Sequence, residues 1–168
     1  MAGVSGDEKR EAHARVVARL REQAGEVRRL VTGLDDSALS TRTDLEKWSV
    51  KELLCHLLRV QQVFEGRLDR LLSEHDPAIA NYEPEEDPEF GRLVARPAER
   101  SLAEYLEGRQ RLIERLAILE PRQWHRPGHH PDYPSYDVHF AMEYMAHHEA
   151  HHIYQIFQRR APFAPAPH

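Results

Sequence analysis

Apolar residues recur at steps of three and four over four stretches of the chain, and those steps predict four long helices. From residue 8 to about residue 32, Ala12, Val16, Leu20, Val27 and Leu30 or Val31 draw one stripe along a charged rod. Gly25 weakens that helix by about 1 kcal/mol relative to Ala, and Gly33 suits its C-terminal stop. Leu53, Leu57, Val60, Phe64, Leu68 and Leu71 predict a second helix over Val50–Leu72. Ser49 precedes Glu52 by the three residues of a capping box, and Trp48 ahead of the cap suits a hydrophobic staple onto Leu53. A third helix over Ala98–Leu119 follows from Leu102, Leu106, Leu112, Ile113, Leu116 and Leu119, with Pro121 marking its end. The fourth starts near Ser135 or Asp137, either able to cap it, and ends near Arg159 or Arg160.

Between these elements the chain reads as irregular. Pro77, Pro84, Pro88 and Pro97 break residues 74–97, whose acidic run Glu83–Glu89 predicts a long surface loop. Residues Trp124–Pro131 form a polar, aromatic, proline-containing link. No run alternates convincingly between apolar and polar positions, so the expected fold is all-α, a single four-helix-bundle domain over 1–168 with flexible ends at about 1–7 and 161–168. There is no glycine-rich phosphate loop and no repeated unit.

Charge and cysteine content narrow the function. The formal net charge is −5 with histidine neutral, and the basic residues are scattered among acids, which argues against a nucleic-acid partner. Cys55 is the single cysteine; it cannot form an intrachain bridge and is expected as a small buried hydrophobe. The first ten residues lack an apolar signal core, and no later stretch is long and apolar enough to span a bilayer. The expectation is a cytoplasmic protein with no membrane partner.

The chemistry concentrates in Met145–Ile156, where His147, His148, His151 and His152 make two i,i+4 pairs. Such a pair can aim both rings at one metal ion. Ala141, Met145, His148, His152 and Ile156 share one helical seam, and Phe140, Tyr144, His147 and His151 share its neighbour. The stronger apolar flanks favour His148 and His152 as the inward pair. A catalytic site of the zinc type commonly has three protein ligands. His56 supplies a third candidate, because it lies inside the second helix between Leu53 and Val60, where an unpartnered imidazole is costly. His139 lies too far along the last helix to join easily, and His13, His75, His125, His129, His130 and His168 lie near helix starts, loops or the terminus.

At these residues the chain resembles the DinB/YfiT-like family. The resemblance runs from the first helix to the fourth and is most specific in Trp48–Leu57 and His148–Ile156. It implies a bundle of up-down-down-up topology, with the acidic segment as the crossover, and a divalent metal, zinc or nickel, held by His56, His148 and His152. It further implies a small-molecule substrate and a homodimer. The activities it implies are a thiol-dependent transferase using a low-molecular-weight thiol, the preferred reading, or a hydrolase acting through metal-activated water; a non-catalytic metal-binding scaffold is the third possibility. Glu52, one turn before His56, His151 at the site's edge, and Gln155 are candidate catalytic residues. Glu149, about 100° from His148 around the helix, is expected at the surface or behind the ligands. Trp48 is expected as a helix anchor, and Trp124, His125, His129, His130, Tyr133 and Tyr136 as an ordinary structured loop, with an entrance to the site as the alternative.

Overall fold

The structure is a computed structural model and describes residues 5–167. In chain order its elements are α1 (Gly6–Val31), α2 (Asp36–Ser40), α3 (Val50–Ser73), α4 (Pro88–Ala95), α5 (Ala98–Ala117), α6 (Pro121–Trp124), a hairpin of β1 (Pro127–His130) and β2 (Tyr133–Asp137), and α7 (Val138–Arg160). A short 3-10 turn at Pro84–Glu86 precedes α4.

Side-chain partners fix the direction of each long helix. His13, Gln23 and Leu30 of α1 meet His139, Ala146 and Arg160 of α7 in the same order, so these two helices run parallel. Cys55, Gln61 and Asp69 of α3 meet Ser101, Tyr105 and Arg115 of α5 in the same order. His56 and Phe64 of α3 meet His148 and Tyr144 of α7 in reverse order. The topology is therefore up-down-down-up, with residues 74–97 crossing from the end of α3 to the start of α5.

That crossover is not the bare loop its prolines suggest. Pro88 occupies the first turn of α4, where a missing N–H costs nothing, and Asp87 caps the helix by accepting from Glu89 N. Leu93 is buried. The link after α6 likewise pairs as an antiparallel hairpin, and Ala78 bridges to His129 beside it. Both departures have one cause: α4 and the hairpin bury a single side chain each, Leu93 and Tyr136, too few to show a period. The described ends make defined contacts. Ser5 and Glu8 form a capping box at the start of α1, and Arg29 donates to the Pro167 carbonyl. The rest of the expected loose ends, residues 1–4 and 168, lies outside the described residues.

The core divides into two apolar clusters. One gathers Leu20, Val60, Leu68, Leu112 and Met142; the other gathers Val27, Leu54, Leu57, Tyr105 and Ile156. Where they meet, a polar network joins all four long helices. Arg109 of α5 is 1% exposed and Glu149 of α7 is 2% exposed. The guanidinium grips the carboxylate with two nitrogens and also donates to the Leu20 carbonyl of α1 and the Gln61 amide oxygen of α3. Tyr105 donates to the same carboxylate at 2.8 Å. Gln61 closes the network by donating to the Tyr105 carbonyl. A buried ion pair survives only when its remaining hydrogen-bonding capacity is met, and here it is. Gly108 is required beside it, because a Cβ there would lie 2.6 Å from Gln61 Nε2.

Candidate metal centre

The site starts from two well-defined helices. Ser49 and Glu52 form the predicted capping box at the start of α3, which sets the phase that turns His56 inward. Asp137, rather than Ser135, caps α7 by accepting from Phe140 N at 2.8 Å. From that start His148 and His152 project one turn apart toward α3. His56 Nε2 lies 3.4 Å from His148 Nε2, and His148 Nε2 lies 3.1 Å from His152 Nε2. All three donor atoms fall within 4.8 Å of one another. Ligand nitrogens around a tetrahedral zinc are roughly 3.3 Å apart for bonds of about 2.0–2.1 Å.

The electrostatics suit a cation. Burial lowers the His56 pKa to about 3, helped by repulsion from His152 and His148. Burial likewise lowers His148 to about 4 and shifts His152 downward. The rings are therefore neutral at physiological pH, the form that ligates a metal. His152 Nδ1 donates to Gln155 Oε1 at 2.7 Å, leaving its Nε2 lone pair free for the cluster. Three imidazole nitrogens turned on one another make a poor hydrogen-bonding set, and their convergence resembles a metal-binding site.

The cluster lies at one side of a cavity of about 370 Å³. Trp48 and Tyr82 stand beside His56, with ring centroids 4.9 Å and 6.3 Å from its imidazole. Phe64, Arg67 and Tyr144 extend the helical wall, and His130, Tyr133 and Tyr136 of the hairpin close the far side. The hairpin is held there by Gly128, whose missing side chain lets the backbone approach Leu71 and Pro77; a Cβ would come within 2.8 Å of Leu71 Cδ2.

A family model of the DinB superfamily matches residues 12–156. The chain belongs to the DinB superfamily. Among solved structures it is similar to YfiT from Bacillus subtilis, described as "a probable metal-dependent hydrolase with an unusual four-helix bundle topology". The two share 23% sequence identity, with a TM-score of 0.81 over 99% of this chain and 93% of YfiT. No curated protein matches the chain. At this identity the likeness to YfiT carries the fold, and the α1, α3, α5 and α7 bundle agrees with it.

Within this DinB-superfamily bundle the other sequence candidates separate. Glu52 is held by the α3 cap and by Arg42, which donates to both its oxygens, so its carboxylate is committed to the helix start. His151 is exposed and contacts the Gln155 amide at 3.3 Å. Gln155 instead orients His152. His147 is exposed beside Arg19. Cys55 is fully buried, and burial raises its thiol pKa, as its reading as a small hydrophobe requires.

Other placements depart from expectation. Trp48 precedes the α3 cap and lines the cavity. The loop residues divide: His130, Tyr133 and Tyr136 face the cavity, whereas Trp124 is buried and stacks on His13 with ring centroids 4.5 Å apart. His125 contacts Asp137 and His129 contacts Asp76. His139 joins His13, Nδ1 to Nδ1 at 2.9 Å, near the opposite end of α7. Glu149 is neither at the surface nor behind the ligands; it is the buried partner of Arg109, because α7 packs on both α1 and α3 and so buries more than one seam. Arg67, Tyr82 and Tyr144 were missed as cavity residues. The signal for Arg67 was its position between Phe64 and Leu71 in an apolar stripe, where a charge needs a reason.

Proposed function

We infer that the protein is a divalent-metal-dependent hydrolase of small molecules. The observation that carries this reading is the convergence of His56, His148 and His152 nitrogens at the wall of a solvent-connected cavity. Those three residues would hold the ion. When bound there, a divalent metal supplies water activation at neutral pH and polarisation of a carbonyl or phosphoryl oxygen. The chain's own groups do the rest. Gln155 holds the His152 ring in the ligating tautomer. Phe64, Trp48 and the tyrosines of the cavity exclude bulk water from one face of the substrate, and the Tyr133, Tyr136 and Tyr144 hydroxyls offer hydrogen bonds to it. His151 is exposed and outside the cavity lining, so it takes no part in this reading.

The hydrolase reading takes precedence over the thiol-transferase reading preferred from the sequence resemblance, because the structurally similar YfiT is described as a hydrolase. The same three nitrogens suit zinc or nickel. Metal analysis of untagged protein followed by a screen of activated esters and amides, each with and without a low-molecular-weight thiol, tests the reading. One equivalent of metal and turnover independent of thiol are expected. Turnover only with thiol would replace hydrolysis by transfer, and absence of bound metal would remove the basis for both.

A further inference from the structure

Arg67 is only 9% exposed, yet it has no carboxylate partner among the described residues. Its hydrogen bonds go to neutral oxygens, the Tyr136 hydroxyl at 3.2 Å and the Ala80 carbonyl at 2.7 Å. The other buried arginines are balanced. Arg109 grips Glu149. Arg160 donates to the Leu30 and Thr32 carbonyls at the C-terminal end of α1, where the helix dipole is negative. Ala80 belongs to no helix, so Arg67 has no such compensation beyond the face of the Phe64 ring, 4.5 Å from its central carbon. A buried cation without a counter-charge is costly. Arg67 also lines the same cavity as the three histidines. Of the five guanidinium N–H groups, two are committed by these bonds, which leaves donors for a ligand in the fork geometry that fits a carboxylate.

We propose that Arg67 is the substrate-anchoring residue of this cavity and that the substrate is a small carboxylate with an apolar body. The assignment rests on the hydrolase reading for what happens to that substrate, but not for the anchoring itself. One guanidinium balances one carboxylate charge. Phe64, Tyr136 and Tyr144 supply the apolar wall beside it, and Tyr136, whose oxygen accepts from Arg67, keeps its own proton to donate to the same anion. The cavity's acidic residues, Glu83 and Asp132, are exposed, so they act at the mouth and leave Arg67 unneutralised.

The test uses benzoate and its neutral isostere benzamide as probes, titrated calorimetrically into the full-length protein both zinc-loaded and stripped with a chelator. In the stripped protein benzoate is expected to bind at least about tenfold more tightly than benzamide, the size of one charge-assisted hydrogen-bonding contact. Arg67→Gln should abolish that preference, and Arg67→Lys should keep part of it. Equal affinities in the unmodified protein, or a preference that survives in a folded Arg67→Gln variant, would overturn the assignment. If Arg67→Gln does not fold, the Arg67 Nε–H resonance of the unmodified protein decides: benzoate must shift it, and an unmoved signal overturns the proposal. Inorganic phosphate binding more tightly than benzoate would reject a carboxylate in favour of a phosphoryl ligand. Metal retention measured on the same samples keeps the two readings separate. Loss of metal with the benzoate preference intact sinks the hydrolase alone, and metal retained without the preference sinks the anchor alone.

Discussion

Glu149→Gln isolates the polar layer at the centre of the bundle. The substitution keeps the shape of the side chain and removes its charge, leaving the Arg109 guanidinium 1% exposed with no anion to face. Two of its contacts, to Leu20 O and Gln61 Oε1, are neutral and remain. Breaking one side of a buried ion pair costs about 3–5 kcal/mol. For a chain of this size each kcal/mol lowers the melting temperature by about 2–4 °C, so a fall of about 6–20 °C is expected. Scanning calorimetry with urea denaturation would measure it. The double variant Arg109→Met/Glu149→Leu removes both charges at similar volume and should recover part of the loss, although Gln61 Oε1 and the Tyr105 hydroxyl then lack partners. The reasoning fails if Glu149→Gln costs less than about 1 kcal/mol, or if the effects of Arg109→Met and Glu149→Leu measured singly simply add in the double variant, since residues in one network must couple.

Three further outcomes follow from the site and its supports. His56→Ala should weaken zinc binding by more than about 100-fold while the helical circular-dichroism signal persists, because a lost ligand exceeds the effect of a lost supporting group; stoichiometric zinc at unchanged affinity would exclude the three-histidine centre. In metal-free protein, His56 with a pKa lowered to about 3, and His13 and His148 lowered to about 4, stay neutral on acidification while the unfolded chain takes up protons below about 6.5. Stability should therefore fall as pH drops from 6.5 toward 4, by about 1 kcal/mol for each ring at pH 5.5; His13→Leu should reduce that slope in urea titrations, and an identical slope would refute its share. Gly128→Ala should cost about 1–3 kcal/mol by forcing the hairpin off Leu71 and Pro77, and an unchanged urea midpoint would show that the hairpin is not held by that approach.

The sequence by itself determined the four long helices, because each buries a continuous stripe whose 3.6-residue period is visible without any neighbour. It also marked His56, His148 and His152, whose nitrogens the structure brings together, but not His13, which is buried against Trp124. Met145 and Ile156 flank His148 and His152 on one seam, and His56 interrupts an apolar run, so the cost of burying an imidazole marked it. The Ser49–Glu52 cap was legible for the same local reason. The Ser5–Glu8 cap has the same spacing. Only the tertiary structure decided the rest. α4 and the hairpin bury too little to show a period, and they form against α3. Whether Glu149 meets solvent or Arg109 depends on how many helices surround α7, and Arg67 becomes a cavity wall only once α3, Tyr136 and the crossover close around it. Local spacing fixes the direction of a side chain on its own helix, whereas what it meets there is set by elements distant in the chain, through packing that no single stretch encodes.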